Sequence, residues 1–73
     1  MNVAKLKGKM RERNVTQEEM AKKLGIALST MNRKLQDDAV GGGFTIGEAH
    51  KMYEVLELSN DEAVSIFFGH SVA

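Results

Sequence analysis

The positive charges of this chain are concentrated in its first half, where they could bind an anionic partner. Residues 1–36 hold nine lysines and arginines against three acids, a net charge of +6. Residues 37–73 hold one lysine against seven acids, a net charge of −6. The overall charge of zero argues against a nucleic-acid partner, but this separation predicts one anion-binding side. Charges scattered over solvated helices are the alternative explanation.

Three of these cations, Lys5, Lys9 and Arg13, recur at every fourth position. In a helix this spacing places them on one face, where they could follow a phosphate backbone. A basic face that contacts only solvent is the alternative.

Other chemistry finds little support among the remaining residues. His50 and His70 stand twenty positions apart without a ligand pattern around them, and the chain has no cysteine. The segment "GGGF" lacks the lysine and the preceding strand of a phosphate-binding loop. No nucleophile and base stand in a catalytic arrangement. The sequence therefore predicts no catalytic residue, no metal ligand and no cofactor, and a protein that is not an enzyme.

Length and composition predict a single folded domain over residues 1–73. Hydrophobic residues make up 42% of the chain and charged residues 27%, which is typical of a globular domain. No apolar run approaches the roughly 18 residues of a membrane span. The basic N-terminal stretch "MNVAKLKGKM" lacks the apolar segment of a signal peptide. We expect a cytoplasmic protein.

The elements that must position the basic residues are helices, because proline is absent and helix formers dominate. The first is expected from about Asn2 to Arg13, with Asn14 ending it in a left-handed conformation. Gly8 inside this helix costs about 1 kcal/mol relative to alanine, so we expect a neighbouring helix to pass close to it.

Residues 17–36 have the pattern of a helix-turn-helix. "TQEE" is a capping box in which Thr16 is the N-cap and Glu19 the third helical residue. Gly25 stops this second helix, and the third is expected from about Leu28 to Gln36. Ala21 is small enough for two helices to cross closely.

The second half is predicted to contain a mobile loop at residues 37–43, two further helices and a tail at residues 69–73. Thr45 with Glu48 and Ser59 with Glu62 form the capping boxes that start the two helices. The residues expected to be buried in them are Ile46, Ala49, Met52, Tyr53, Leu56, Val64, Phe67 and Phe68. Alternatively, one of Phe67, Phe68 and Val72 forms a dimer patch, because together they exceed what a small bundle buries.

The segment "TQEEMAKKLGIALSTMNRKL" resembles the helix-turn-helix of phage repressor and Cro-type (XRE-like) proteins. "FTIGEAHKMYEVLELSNDEAVSIFF" is similar to the part that follows it in short phage-encoded members from Gram-positive bacteria. The resemblance covers about residues 3–68. It implies an all-α, compact five-helix domain of the lambda repressor-like type, whose third helix enters the major groove of operator DNA, usually as a dimer.

The resemblance also implies which residues contact double-stranded DNA. Arg33 matches a position that can form a bidentate contact with guanine, and Asn32 can pair with adenine. Gln17, at the start of the second helix, can hold a phosphate together with the helix N-terminus. The full expectation is base contacts from Leu28, Ser29, Asn32 and Arg33, and phosphate contacts from Gln17, Thr30, Lys34, Lys5, Lys9 and Arg13.

The chain departs from the family pattern at three places. Ala27 stands where Ser or Thr usually caps the third helix, so either the cap is lost or Ser29 caps a later start. Asp37 and Asp38 follow that helix where the family usually has Asn, Gly and a basic residue. Leu28 stands at a usually polar position. Its spacing with Met31 and Leu35 predicts a core residue, whereas the family pattern predicts groove-side exposure against a thymine methyl.

Two functions follow from these features. The first is a sequence-specific transcriptional regulator that binds double-stranded DNA, a phage or prophage repressor or Cro-like protein. It would act as a homodimer that forms either in solution or only on DNA. The second is a protein-interaction module with the same fold and weak or no DNA binding, such as an antirepressor or an assembly partner. The basic half, Gln17 and Arg33 favour the first function. The zero net charge, Leu28 and the two aspartates favour the second.

Overall fold

The computed structural model describes residues 1–36 and 43–69, which form five α-helices. They are α1 (Val3–Glu12), α2 (Gln17–Leu24), α3 (Leu28–Leu35), α4 (Ile46–Val55) and α5 (Asn60–Phe67). The all-α prediction is confirmed. Most of the predicted loop, with Asp37 and Asp38, and most of the tail, with His70, lie outside the described residues. No described helix is long and apolar enough to cross a membrane.

The helix starts follow the capping residues that the sequence contains. The hydroxyls of Thr16, Thr45 and Ser59 each accept a hydrogen bond from a backbone N–H three residues later, and the glutamate there accepts one from the N-cap backbone. These reciprocal bonds satisfy amides that a helix leaves without partners at its N-terminus. All three predicted capping boxes are confirmed.

The core is built mainly from methionine and leucine. The largest fully buried side chains are those of Leu6, Met20, Met31, Met52, Leu56 and Ile66. Burying one such side chain stabilises the fold by roughly 1.5–3 kcal/mol. Because these side chains come from all five helices, the core fixes the orientation of α3 together with the rest of the domain.

Three residues that were expected to be buried are exposed. Ile46 is 91% exposed, Val64 58% and Phe68 65%. The buried positions of α5 are Phe67, as expected, and Ile66, which was not among the expected core residues. The prediction was wrong for these residues because periodicity gives the faces of a helix but does not show which of them a neighbouring helix covers.

One face of α1 joins the N-terminal and C-terminal parts of the domain. The Lys5 ammonium donates a hydrogen bond to Ser65 Oγ at 2.7 Å, and the Lys9 ammonium pairs with the carboxylate of Glu62. Arg13 Nε donates to the backbone carbonyl of Leu56 at 3.0 Å. The three cations share a face, as their spacing predicted, and each has a partner in α5 or in the turn before it.

We expect the Lys9–Glu62 pair to make the stability of the domain depend on pH in the acid range. The Lys9 ammonium is the largest influence on Glu62 and lowers the pKa of its carboxyl from 4.5 to about 2. A depressed folded-state pKa stabilises the fold above pH 4.5, and this stabilisation is lost as the pH falls towards 2. Glu62→Gln keeps a side-chain acceptor for the cap but removes the charge. The difference in Tm between wild type and variant should be largest above pH 5 and vanish near pH 2.

The control for this pH dependence is Glu12→Gln, since Glu12 is a more exposed and more distant partner of Lys9, at 3.4 Å. Its difference in Tm from wild type should be small throughout. A difference for Glu62→Gln that stays constant between pH 7 and pH 2 would contradict the assignment of the stabilisation to this carboxylate.

Gly8 lies on an exposed surface of α1. A Cβ built at this position meets no atom within 4 Å, so the expected close approach of a neighbouring helix was wrong. Gly8→Ala should therefore raise the free energy of unfolding by about 1 kcal/mol, because alanine restricts the unfolded chain and favours the helix. Urea unfolding measures this change. Destabilisation by the substitution would show that the position is more crowded than the structure indicates.

Candidate nucleic-acid interface

The turn between α2 and α3 is built on Gly25. This residue has φ +72°, and its N–H donates to the carbonyl of Lys22 while that of Ile26 donates to the carbonyl of Ala21. These two bonds close the left-handed helix ending for which glycine is the favoured residue. Ala21 is buried, and α2 packs against both α3 and α4. The predicted helix-turn-helix is thus present over residues 17–36.

The third helix starts without a side-chain cap. Ala27 is the N-cap, with extended backbone at φ −71° and ψ 153°. Its methyl side chain cannot accept a hydrogen bond from the backbone N–H groups of the first turn. Ser29 does not take over the role, because the helix already begins at Leu28. The amides of the first turn of α3 are therefore open to another acceptor.

The outward face of α3 matches the set of predicted base-contacting residues. Ser29, Asn32 and Arg33 are exposed, and Leu28 is 42% exposed at the start of the helix. Met31 and Leu35, on the opposite side, are buried. Of the two alternatives for Leu28, the structure supports exposure at the helix surface over burial in the core.

The side chains on this face are available for intermolecular contacts. Arg33, Asn32 and Ser29 make no side-chain hydrogen bond or ion pair with another residue in the described parts of the chain. An unpaired guanidinium can donate two parallel hydrogen bonds to guanine O6 and N7, and a free amide can pair with adenine. The face thus combines groups suited to reading base edges.

Two residues of the helix-turn-helix other than Lys34 are predicted to hold phosphates. Gln17 is the first residue of α2 and is half-buried, as is Thr30 in α3. Helix N-termini attract anions through their unpaired amides. In the same first turn of α2, Glu19 is occupied by the capping box and Glu18 lies 4.0 Å from Lys22.

The four cations predicted to bind phosphate each have an intramolecular partner. Those of Lys5, Lys9 and Arg13 are described above. The Lys34 ammonium lies 2.6 Å from Glu48 Oε1 and 5.7 Å from the centre of the Phe44 ring. Their contacts with phosphate stay predictions. No local pattern indicates these partners, because they are 14 to 60 residues away in the chain.

Comparison with known proteins identifies the family. The family model of the Cro/C1-type helix-turn-helix DNA-binding domain matches residues 5–63. The chain belongs to this family. The match extends from α1 into α5 and includes both helices of the helix-turn-helix. None of the curated proteins or solved structures gives a significant match.

The sequence predictions for this Cro/C1-type domain overlooked other cations. Lys7 and Arg11 in α1 and Lys23 in α2 are exposed and have no ion-pair partner among residues 1–36 and 43–69. Lys23 is of most interest, because it stands two residues before the Gly25 turn that leads into α3. Its signal in the sequence is the pair Lys22–Lys23, which makes the last turn of α2 basic.

The Cro/C1-type domain also carries an apolar groove between α4 and α5. Its volume is about 410 Å³, and its lining includes Phe44, Ile46, Tyr53, Phe67 and Phe68. The Tyr53 hydroxyl donates to Asn60 Oδ1 at 2.9 Å, which ties the two helices together beside the groove. Exposed apolar surface of this kind is typical of an interaction site.

Proposed function

We propose that this chain is a sequence-specific, double-stranded DNA-binding transcriptional regulator that reads the major groove with α3. Within the family, its resemblance to phage-encoded members favours a phage or prophage repressor or a Cro-like protein. Its place of action would then be the cytoplasm of a bacterial host cell, where the operator DNA is found. Leu28, Ser29, Asn32 and Arg33 contact bases in this proposal, and Gln17 and Thr30 contact phosphates.

The observation that carries the proposal is the composition of the α3 surface. An exposed arginine, asparagine and serine without partners in the described structure stand on a helix whose opposite side is locked into the core. Side chains on a rigid helix can meet base edges with fixed geometry, which direct readout of sequence requires. Glu62 and Glu48 neutralise Lys9 and Lys34, and the remaining cations of the basic half, residues 1–36, supply the attraction to phosphate.

The proposal is tested by selection from a pool of random duplexes, followed by fluorescence anisotropy at two salt concentrations. A regulator of this kind should enrich a defined half-site and lose affinity steeply as salt rises, since phosphate contacts release counterions. A pool that stays random, with binding that is absent or insensitive to salt, would overturn the proposal.

We further propose that two copies associate on DNA through the exposed apolar side chains of α4 and α5. At their observed exposures, Ile46, Val64 and Phe68 each present on the order of 100 Å². The sum is a few hundred Å² per copy, below the roughly 800 Å² per partner of a stable interface. A second copy fits this surface as a weak partner, whose association becomes effective when neighbouring half-sites hold the two copies together.

Phe68→Ser should reduce cooperative binding to a duplex with two half-sites by several-fold and leave binding to a single half-site unchanged. The variant removes an aromatic ring from the groove, whose lining includes no residue of α3. Titrations of both duplexes by anisotropy provide the comparison, and sedimentation should show a monomer in the absence of DNA. Equal losses on both duplexes would argue against the surface as a dimer contact.

The same groove favours the second candidate function, a protein-interaction module such as an antirepressor or an assembly partner. In that case, Phe68→Ser would abolish the biological activity, whereas Arg33→Ala would leave it intact. The opposite pattern, loss with Arg33→Ala and only partial loss with Phe68→Ser, is expected for the DNA-binding regulator.

A further inference from the structure

An ion pair ties the C-terminal end of α3 to the start of α4. Lys34, in the last turn of α3, lies with its ammonium 2.6 Å from Glu48 Oε1. The two side chains are only 16% and 14% exposed, so water screens this pair less than it screens a surface salt bridge.

The environment of the pair holds both partners in place. Glu48 Oε1 also accepts the backbone N–H of Thr45 at 2.9 Å, as part of the capping box of α4. The Phe44 ring lies 5.7 Å from the Lys34 ammonium, within the distance at which an aromatic face attracts a cation. Burial raises the pKa of Glu48, but the hydrogen bonds from Lys34 and Thr45 outweigh it, so that the net pKa is lowered and the carboxylate stays charged.

We propose that Glu48 withholds Lys34 from the DNA backbone, so that Lys34 is a positioning residue for α3 rather than a phosphate contact. This inference rests on the proposed function. The carboxylate neutralises the ammonium next to the recognition surface and fixes the C-terminal end of α3 against α4. Arg33, the neighbouring residue in the sequence, has no such partner in the described structure and stays available for bases.

The consequence is a gain in discrimination between sequences. A free lysine on α3 would attract every duplex equally, because phosphates carry no sequence information. Neutralising it lowers non-specific binding, while the bond to α4 keeps the base-reading face in a fixed orientation. The family resemblance gives Lys34 the opposite role, so the two assignments predict different dependences on salt.

The test measures binding of the full chain to random duplexes and to the selected half-site at several salt concentrations. Glu48→Gln keeps a side-chain acceptor for Thr45 and Lys34 but removes the negative charge. The freed ammonium should make the slope of log affinity against log salt steeper by about 0.9. Between 50 and 200 mM salt this is an additional loss of affinity of about 3- to 4-fold. Circular dichroism checks that each variant is folded.

Two further variants separate positioning from phosphate contact. Lys34→Met should leave the salt slope at its wild-type value but reduce the preference for the half-site over random duplexes. Lys34→Arg keeps a cation beside Glu48 and should therefore keep the wild-type preference. Combining Lys34→Met with Glu48→Gln should return the slope to the wild-type value. The matched control is Glu54→Gln, which makes the same charge change in α4 beside the exposed His50 and should leave the slope close to wild type.

The outcomes are distinct for this inference and for the proposed function. A slope for Glu48→Gln equal to that of wild type or of Glu54→Gln overturns the inference, as does a flatter slope for Lys34→Met alone. In both cases the wild-type chain still binds its half-site and the proposed function stands. A wild-type chain without salt-dependent binding and without a half-site overturns the proposed function and this inference together.

Discussion

Replacing Arg33 with alanine should weaken binding to the selected half-site by about 1–3 kcal/mol and relax the preference at one base position. The guanidinium is exposed on α3 and has no polar partner in the described structure, so that the free protein loses no hydrogen bond or ion pair on substitution. A bidentate pair with guanine is worth this amount in discrimination against the wrong base. Anisotropy with the half-site and with its single-base variants measures both quantities.

Arg33→Lys is the more informative companion variant. It keeps the charge but loses the planar fork that matches two acceptors on guanine. We expect the base preference to fall as in Arg33→Ala, while the dependence on salt stays close to that of wild type. Lys51→Ala removes an exposed cation from α4 and should leave base preference unchanged. If Arg33→Ala weakened binding by the same factor on every sequence, Arg33 would be a phosphate contact instead.

Met31→Ala should lower the free energy of unfolding by about 2–5 kcal/mol. Met31 is fully buried on the inner side of α3, so the substitution removes apolar contacts and leaves a cavity in the core. Small domains are stable by only about 5–15 kcal/mol in total. The substitution therefore threatens the whole fold, and DNA binding should be lost with it as temperature or urea rises. Urea unfolding followed by circular dichroism gives the change.

Leu28→Ala is the control on the same helix. Leu28 is 42% exposed, so its truncation should change stability by less than about 1 kcal/mol. A thymine methyl in contact with Leu28 would make the half-site affinity fall without a matching loss of stability. Equal destabilisation by the two substitutions would place Leu28 in the core and contradict the orientation of α3 described above.

The sequence predicts the local features of this domain well, because neighbouring residues determine them. Capping boxes involve residues three positions apart, and the turn at Gly25 requires a backbone conformation that glycine adopts without strain. Asn14, just after α1, has the predicted left-handed conformation with φ 60°, which asparagine tolerates better than most residues. The start of α3 at Leu28 agrees with its predicted position within the helix-turn-helix.

Features that depend on distant residues could not be predicted in this way. The spacing of Lys5, Lys9 and Arg13 gave their common face but not the presence of α5 against it. Nothing near Lys34 in the sequence indicates that Glu48, 14 residues later, neutralises it. Tertiary packing decides which face of a helix is covered, which is why Ile46 and Phe68 were wrongly expected in the core.

The central claim, that α3 reads DNA, is tested most directly by titrating the ¹⁵N-labelled chain with the selected half-site duplex and recording amide and arginine side-chain spectra. We predict that the shifts concentrate on Ser29, Asn32, the Arg33 side chain and the start of α2 at Gln17. A single half-site should leave the exposed residues of α5 unperturbed. Shifts confined to α4 and α5, with α3 unchanged at saturating duplex, would contradict the account.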